Sequence, residues 1–335
     1  MARGEFMKNG YWKNKKVLVT GGCGMMGSYV TEILAAVGAR VRVADNLSRG
    51  STKFIEGVLD AVEVMKDDLS DLEACRKACR DQEIVLNLAA KVTGIEYNLT
   101  HQREMFETNF LLQRNVIHAA ADAGVKRFLQ VSTACIYPHD AVVPTPESEG
   151  LRGTPEPTNE GYGWGKRMGE QLAYYYTRET PMKCVIVRPF NAYGPRDNFD
   201  ETESHVIPAL IGRILRGDDP VVIWGSGNQK RVFVHARDIA QAMVLLTEKA
   251  PPAEPVNVGH DQMVSIRELF VTICRVLGRS PRFLFDTSKP EGYPARAADT
   301  TKLRAITGFV PSTTIEEGIR EMVEWLRTQR KLCPT

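Results

Sequence analysis

A short β-branched run, Lys16-Val-Leu-Val-Thr20, leads straight into Gly21-Gly-Cys-Gly-Met-Met-Gly27, and helical apolar spacing begins at once. No other stretch of the chain limits its fold so tightly. Gly21, Gly24 and Gly27 recur at every third position between a strand and a helix. In that setting one glycine permits the tight turn, the next lets a pyrophosphate approach the backbone, and the third lets the helix pack on the strand. The helix start at Met25 and Met26 then offers N–H donors and the positive end of a dipole to phosphate oxygens. A dinucleotide is the expected cofactor.

The alternation continues. The first helix spans about Met25 to Val37, with Met26, Val30, Ile33, Leu34 and Val37 at helical spacing and Gly38 to end it. Strands are expected at Arg40–Ala44, Val62–Met65, Ile84–Leu88, Arg127–Ser132 and Lys183–Val187, with long helices at about Arg103–Ala123 and Glu160–Arg178. Strands separated by helices require crossover connections, so the fold class is α/β, a Rossmann-type doubly wound parallel sheet. Past Pro189 the rhythm breaks into short strands (Val221–Trp224, Val232–Val234, Val256–Val258) and helices (Val206–Arg216, Asp238–Thr247, Ile266–Leu277, Ile315–Arg327). Two domains are expected: residues 7–188 for the dinucleotide, and 189–330 as a smaller α/β substrate domain with some strands returning to the sheet.

Composition narrows the function. With 43 Lys plus Arg against 41 Asp plus Glu the net charge is +2, too small for a general grip on nucleic acid or an anionic membrane. No apolar run nears the roughly 18 residues of a membrane span, and no apolar leader opens the chain. Met1–Phe6 reads as a cloning remnant before a start at Met7. Cys75 and Cys79 lie one helical turn apart, yet no Cys-x-x-Cys or histidine cluster joins them. No metal is expected, and reduced cysteines point to the cytoplasm.

Asp45, followed by Asn46, ends the second strand about 18 residues after Gly27, where a carboxylate accepts from a ribose 2′-hydroxyl and repels a 2′-phosphate. NAD is therefore expected over NADP, with Arg49 able to soften the preference. Tyr162-Gly-Trp-Gly-Lys166 sets a phenol and an ammonium one turn apart on a helix face. A nearby Lys⁺ lowers a tyrosine pKa toward the range of proton shuttling. The order of the parts strengthens the pattern: glycine loop, Asn87-Leu-Ala-Ala90, Ser132-Thr133, then Tyr162 and Lys166.

In these residues the chain resembles the extended short-chain dehydrogenase/reductase family along nearly its whole length. The resemblance implies that Thr133 and Tyr162 contact the sugar hydroxyl or carbonyl and that Lys166 holds the nicotinamide ribose. It further implies that Asp68 and Leu69 flank the adenine, that Leu88, Ala89 and Ala90 line the cofactor, and that Asn109 lies beneath the active-site helix.

Thr133-Ala-Cys135-Ile-Tyr-Pro138 is the informative stretch. Hexose dehydratases of this family carry Asp-Glu after the threonine; Ala134 and Cys135 remove that acid. Ala89–Gly94, which contains Val92 and Thr93, Pro157–Glu160, Asn191–Pro195, Asp197–Phe199, Ser204–Leu210, Trp224–Gly227 and Pro290–Pro294 are similar to GDP-L-fucose synthases and, more distantly, GDP-mannose 3,5-epimerases. By that likeness Cys135 and His205 form the acid/base pair that inverts carbons beside a C4 ketone. Val206, Trp224, Asn191, Arg231 and Arg296 contact the nucleotide sugar, the arginines through its diphosphate. The strand ending Val43–Gly50 looks instead like redox-neutral, NAD-retaining epimerases.

The leading expectation is an NAD-dependent nucleotide-sugar epimerase, with a GDP-sugar favoured, that inverts C3 and/or C5 during transient C4 oxidation. An epimerase/reductase of the GDP-L-fucose synthase kind, a C4 epimerase in which Cys135 and His205 are pocket walls, and a non-catalytic dinucleotide sensor are the alternatives. A homodimer is expected through the two long helices.

Overall fold

Alternate residues of the first strand serve opposite faces. In β1 (Lys16–Thr20), Val17 and Val19 enter one core and Leu18 the other, all fully buried. A strand buried on both faces belongs inside a parallel sheet covered by helices. The computed structural model, which describes residues 10–200, 204–289 and 293–332, has that sheet. The reading of Met1–Phe6 and Met7 lies outside the described residues, as does Pro290 through Gly292 of the Pro290–Pro294 motif.

After β1 come α1 (Met25–Ala36), β2 (Arg40–Ala44), β3 (Val62–Met65), α2 (Leu72–Cys79), β4 (Ile84–Asn87), α3 (Ile95–Thr100), α4 (Gln102–Asp122), β5 (Arg127–Val131), α5 (Glu160–Glu179) and β6 (Lys183–Pro189). The remainder is β7 (Ala192–Tyr193), α6 (Val206–Arg216), β8 (Val221–Trp224), β9 (Lys230–Val232), β10 (Val234–His235), α7 (Ala236–Lys249) and β11 (Pro255–Val258). It closes with β12 (Met263–Ser265), α8 (Ile266–Leu277), β13 (Phe283–Asp286), β14 (Ala295–Arg296), α9 (Thr301–Thr307) and α10 (Ile315–Leu332).

Seven parallel strands run in the order β11-β6-β5-β4-β1-β2-β3. The winding reverses between β1 and β4, which opens a crevice beyond the carboxyl ends of the strands. The Gly21–Gly27 loop, the Leu88–Ala90 segment and Thr133 follow the carboxyl ends of β1, β4 and β5. From the second half of the chain, β11 joins the sheet beside β6 and α7 lies against α1. A separate core gathers Leu210, Ile211 and Ile214 of α6, Leu269 and Ile273 of α8, and Ile319, Met322 and Val323 of α10.

Some local expectations change. The strand expected at Val232–Val234 divides into β9, which pairs with β12 and β14, and β10, which pairs with β7. The strand expected to reach Leu88 stops at Asn87, because the next residues pass over the glycine turn: a Cβ on Gly21 would stand 3.1 Å from the Ala89 amide nitrogen. A 3₁₀ segment at Thr52–Ala61, together with α2, α3, α9 and β12–β14, had no counterpart in the sequence pattern.

Candidate active site

The first turn of α1 is built to leave its amides available. Gly24 stands at the N-cap and contributes no side-chain hydrogen bond to the Met25 and Met26 turn. Gly21 has φ +64°, and a Cβ on Gly27 would overlap the Gly21 carbonyl, so both positions demand glycine. Asp45 is buried. Its Oδ2 accepts from the Cys23 amide at 2.9 Å and its Oδ1 from the Leu47 amide at 2.9 Å. Asn46 accepts from the Ser48 amide, and the Asp68 carboxyl is held low by hydrogen bonds from Ser70 and Asn46. Leu69 is buried next to it in sequence. A glycine cradle, open helix amides and an acidic strand end fit the two phosphates and the ribose of a dinucleotide.

A buried polar chain that the sequence did not announce links this cradle to the catalytic helix. The Thr20 hydroxyl donates to Asn87 Oδ1 at 2.7 Å and accepts from the Ala89 amide at 3.0 Å. Asn87 donates to Gln130 at 3.4 Å, Gln130 to Gln113 at 2.5 Å, and Gln113 to the Gly165 carbonyl of α5 at 2.9 Å. Each buried amide thereby has a partner, and the spacing of β1, β4, β5, α4 and α5 is fixed together. Asn109 on α4 donates to the Lys91 carbonyl and accepts from the Lys91 amide, which steadies Ala90, Val92 and Thr93. Arg49 donates to the Val92 carbonyl.

Thr133 follows β5 and its hydroxyl accepts from the Cys135 amide at 3.2 Å. The Tyr162 phenol meets the Thr133 hydroxyl. Burial raises its pKa well above the ordinary tyrosine value, the Cys135 thiol adds to the rise, and Thr133 opposes it. The expected lowering by Lys166 is corrected here. Lys166 donates from Nζ to the Val131 carbonyl at 2.9 Å and stands 5.8 Å from the Tyr162 ring centroid, so burial outweighs it. Burial also draws Lys166 down to about 8, against the pull of Glu170. Glu170, one turn further along α5, is locked bidentate to Arg188 of β6 at 2.9 and 2.7 Å with both side chains buried. That pair seats the helix.

Cys135 joins the tyrosine cluster directly. Burial raises its pKa, Arg296 lowers it and Glu156 raises it again. His205, at the N-cap of α6 just before Val206, belongs to a second group. Its Nδ1 lies 3.5 Å from Oδ1 of the buried Asp197, and its side chain is 41% exposed. Burial opposes the imidazolium, but Asp197 outweighs it and the pKa is raised; Arg49 acts against it. Asp197 is itself anchored by its neighbour Arg196, which clasps Glu32 and Ser28 of α1 and lies 4.4 Å over Tyr29. Glu156 and Asp197 were missed as site residues, although each sits in or beside a motif segment.

Among the sugar-side residues, Asn191 donates to the Val232 carbonyl at 2.7 Å, which holds β9 in place. Trp224 ends β8, with the Lys289 ammonium 5.3 Å from its ring centroid. Arg231 and Arg296 are register partners on β9 and β14. Arg231 is half-buried, whereas Arg296 is buried against Glu156 and Cys135. Among the described residues no group of three or more His, Cys, Asp or Glu is placed to hold a metal, and no helix is long and apolar enough to cross a membrane.

A family model described as the NAD dependent epimerase/dehydratase family matches residues 17–259. The chain belongs to that family. This epimerase/dehydratase-family chain is 34% identical over 326 residues to the GDP-L-fucose synthase of Escherichia coli, across 93% of this chain and 96% of that one. It is 30% identical to a Streptomyces dTDP-4-dehydro-6-deoxy-D-allose reductase, over 96% of this chain and 98% of that one. The solved UDP-glucose 4-epimerase of Thermotoga maritima superposes with a TM-score of 0.84 at 27% identity, covering 93% of this chain and 99% of that one. The matched span of that NAD dependent epimerase/dehydratase model includes the Gly21–Gly27 cradle.

Proposed function

We propose that the protein is an NAD-dependent nucleotide-sugar epimerase, which oxidises C4 of a nucleotide-diphospho-hexose transiently and inverts C3 and/or C5. The observation that carries this reading is the clustering of Cys135 with the Thr133–Tyr162 pair: the Cys135 amide donates to the Thr133 hydroxyl and its thiol acts on the Tyr162 phenol, so an acid/base group stands beside the group that handles the C4 oxygen. When held by the Gly21–Gly27 loop and Asp45, NAD would supply the acceptor for the C4 hydride and the source of its return. Tyr162 moves the proton at the C4 oxygen, steadied by Thr133, while Lys166 stays cationic near neutrality. Once C4 is a ketone, the hydrogens on C3 and C5 become acidic because the carbanion delocalises as an enolate. Cys135 and His205 then remove and return protons on opposite faces of the ring. Arg231 and Asn191 take the diphosphate and sugar, Trp224 the nucleoside, with a GDP-sugar favoured by the relatives' names. Residues 7–188 serve the cofactor and 189–330 mainly the substrate, in the cytoplasm.

A second reading, net epimerase/reductase, is favoured by two observations. GDP-L-fucose synthases and a dehydro-deoxyhexose reductase are among the relatives. Burial also keeps Tyr162 protonated, the state that donates to an incoming ketone. Asp45 speaks for the first reading, since its carboxylate repels the 2′-phosphate of NADP(H).

Incubating the protein with GDP-, UDP-, dTDP- and CDP-sugars in D₂O, with proton NMR, tests both. Deuterium at C3 or C5 without net consumption of NAD(P)H is expected. Stoichiometric oxidation of added NADPH selects the reductase, and exchange-free inversion at C4 selects the C4 epimerase. We further propose a two-fold dimer through α4 and α5, which pack together and expose Leu111, Tyr174 and Tyr175; a monomer mass by light scattering would refute it.

A further inference from the structure

Arg296 was expected on the substrate diphosphate, yet its guanidinium is committed inside the protein. Nη2 reaches Glu156 Oε2 at 3.3 Å, with the two side chains only 9% and 6% exposed. The guanidinium carbon lies 3.9 Å from the Tyr293 ring centroid, and the Tyr293 hydroxyl is fixed in turn on the Tyr137 carbonyl at 2.9 Å. The Arg296 guanidinium also acts on the Cys135 thiol, whose pKa it lowers against the rise caused by burial. Cys135 cannot drift from this group. A Cβ on Gly163 of α5 would stand 2.8 Å from the Cys135 carbonyl and 2.6 Å from Pro155, so helix, thiol segment and the Glu156 segment are in close contact.

A buried Arg–Glu pair contributes little stability for its desolvation, and replacing it by apolar residues often costs nothing. Such a pair next to a thiol calls for a chemical role. We propose that Arg296 and Glu156 are positioning residues for Cys135: the guanidinium is the counter-charge against which the thiol ionises, and the carboxylate fixes that guanidinium in place. This rests on the reading of Cys135 as an acid/base group and adds the device that makes a buried thiol serve as one. The proton leaves sulfur for the C3 or C5 carbanion, or arrives from that carbon, and the charge left on sulfur is met by Arg296. Glu156 opposes the same charge, so the two residues act with opposite sign. The titratable groups facing Cys135 are Arg296 on β14, Glu156 before α5, Tyr162 on α5 and Tyr293 before β14; His139 stacks on the outer face of Tyr293.

The test measures thiol ionisation without any substrate. The alkylation rate of Cys135 by iodoacetamide, resolved from the other cysteines by peptide mass spectrometry, is followed over about pH 6 to 10 in the full-length protein, because only the thiolate reacts. Arg296→Gln should raise the midpoint by about one unit or more, a roughly tenfold slower reaction at a given pH. Glu156→Gln, which keeps the shape and the hydrogen bond, should lower it. Arg296→Lys keeps the charge and should stay close to the parent. Shifts of the same sign in the Gln variants, or none, overturn the proposal. If Arg296→Gln does not fold, Glu156→Gln decides alone: an unchanged or raised midpoint overturns it. The two readings fail separately. Opposite shifts without C3 or C5 exchange on any sugar leave the positioning device standing and remove the epimerase; exchange with unmoved midpoints does the reverse.

Discussion

The proposed redox group and the proposed proton-transfer pair are assembled differently. Thr133, Tyr162 and Lys166 stand at the end of β5 and on the α5 helix, and the lysine finds its carbonyl only 35 residues back. Cys135 and His205 lie in motifs equally visible in the sequence; His205 has Asp197 in the segment just before it, whereas the arginine that pairs with Glu156 comes from a late strand. Arg296 reaches Glu156 across 140 residues of chain, and Arg49 acts on His205 from the loop after β2. Tyr162 and Lys166 can be recognised from spacing along one helix. The surroundings of Cys135 and His205 depend on how the later strands and the Arg196–Asp197 turn are laid onto the sheet.

Separating the two groups should produce the largest effect. Tyr162→Phe should abolish hydride transfer and solvent exchange together, because no carbon acid exists before the ketone forms. Cys135→Ser or His205→Asn should lose only the exchange at C3 or C5, each by about 10²–10⁴-fold. Deuterium NMR alongside cofactor absorbance reads both, and full epimerase activity in the two latter variants would make those residues pocket walls.

His235 lies where the later half of the chain meets α1, between Tyr29 and Tyr193 at ring-centroid distances of 6.0 and 5.6 Å. Burial, helped by Arg237, lowers its pKa from 6.5 to about 4. The unfolded chain therefore binds a proton that the folded protein refuses, and stability should fall as pH drops from 6.5 toward 4. The slope is about 1.4 kcal/mol per unit, on the order of 2–3 kcal/mol in all. His235→Asn keeps an N-cap acceptor for α7 in place of Nδ1, which now accepts from the Arg237 amide. Urea titrations across that range should show a flatter pH dependence in the variant.

Removing the charge beside His205 should matter less. Asp197→Asn withdraws the group that raises the imidazole pKa, so the histidine limb of the exchange profile should move to lower pH. An unmoved limb would show that Asp197 only supports the loop. At the cofactor end, Asp45 should make NADP(H) bind at least about tenfold, or ~1.4 kcal/mol, more weakly than NAD(H). Calorimetric titration with equal affinities would overturn this preference.

Much of the framework was legible because its signals are local. α6 and α8 begin and end where periodicity and caps put them: α8 opens on the Ser265–Glu268 capping box and closes on Gly278 at φ +64°. The glycine loop, the alternation of the first six sheet strands without their order, and the Tyr162–Lys166 pair were set by residues within a turn or two of each other. Tertiary structure alone decided the rest. It split one expected strand into β9 and β10, threaded Thr20, Asn87, Gln130 and Gln113 into one buried chain, and set Arg296 against Glu156. Helix and strand periods are satisfied by neighbours along the chain. A buried polar group takes whichever partner the packed fold brings within hydrogen-bond reach, and sequence separation carries no information about that distance.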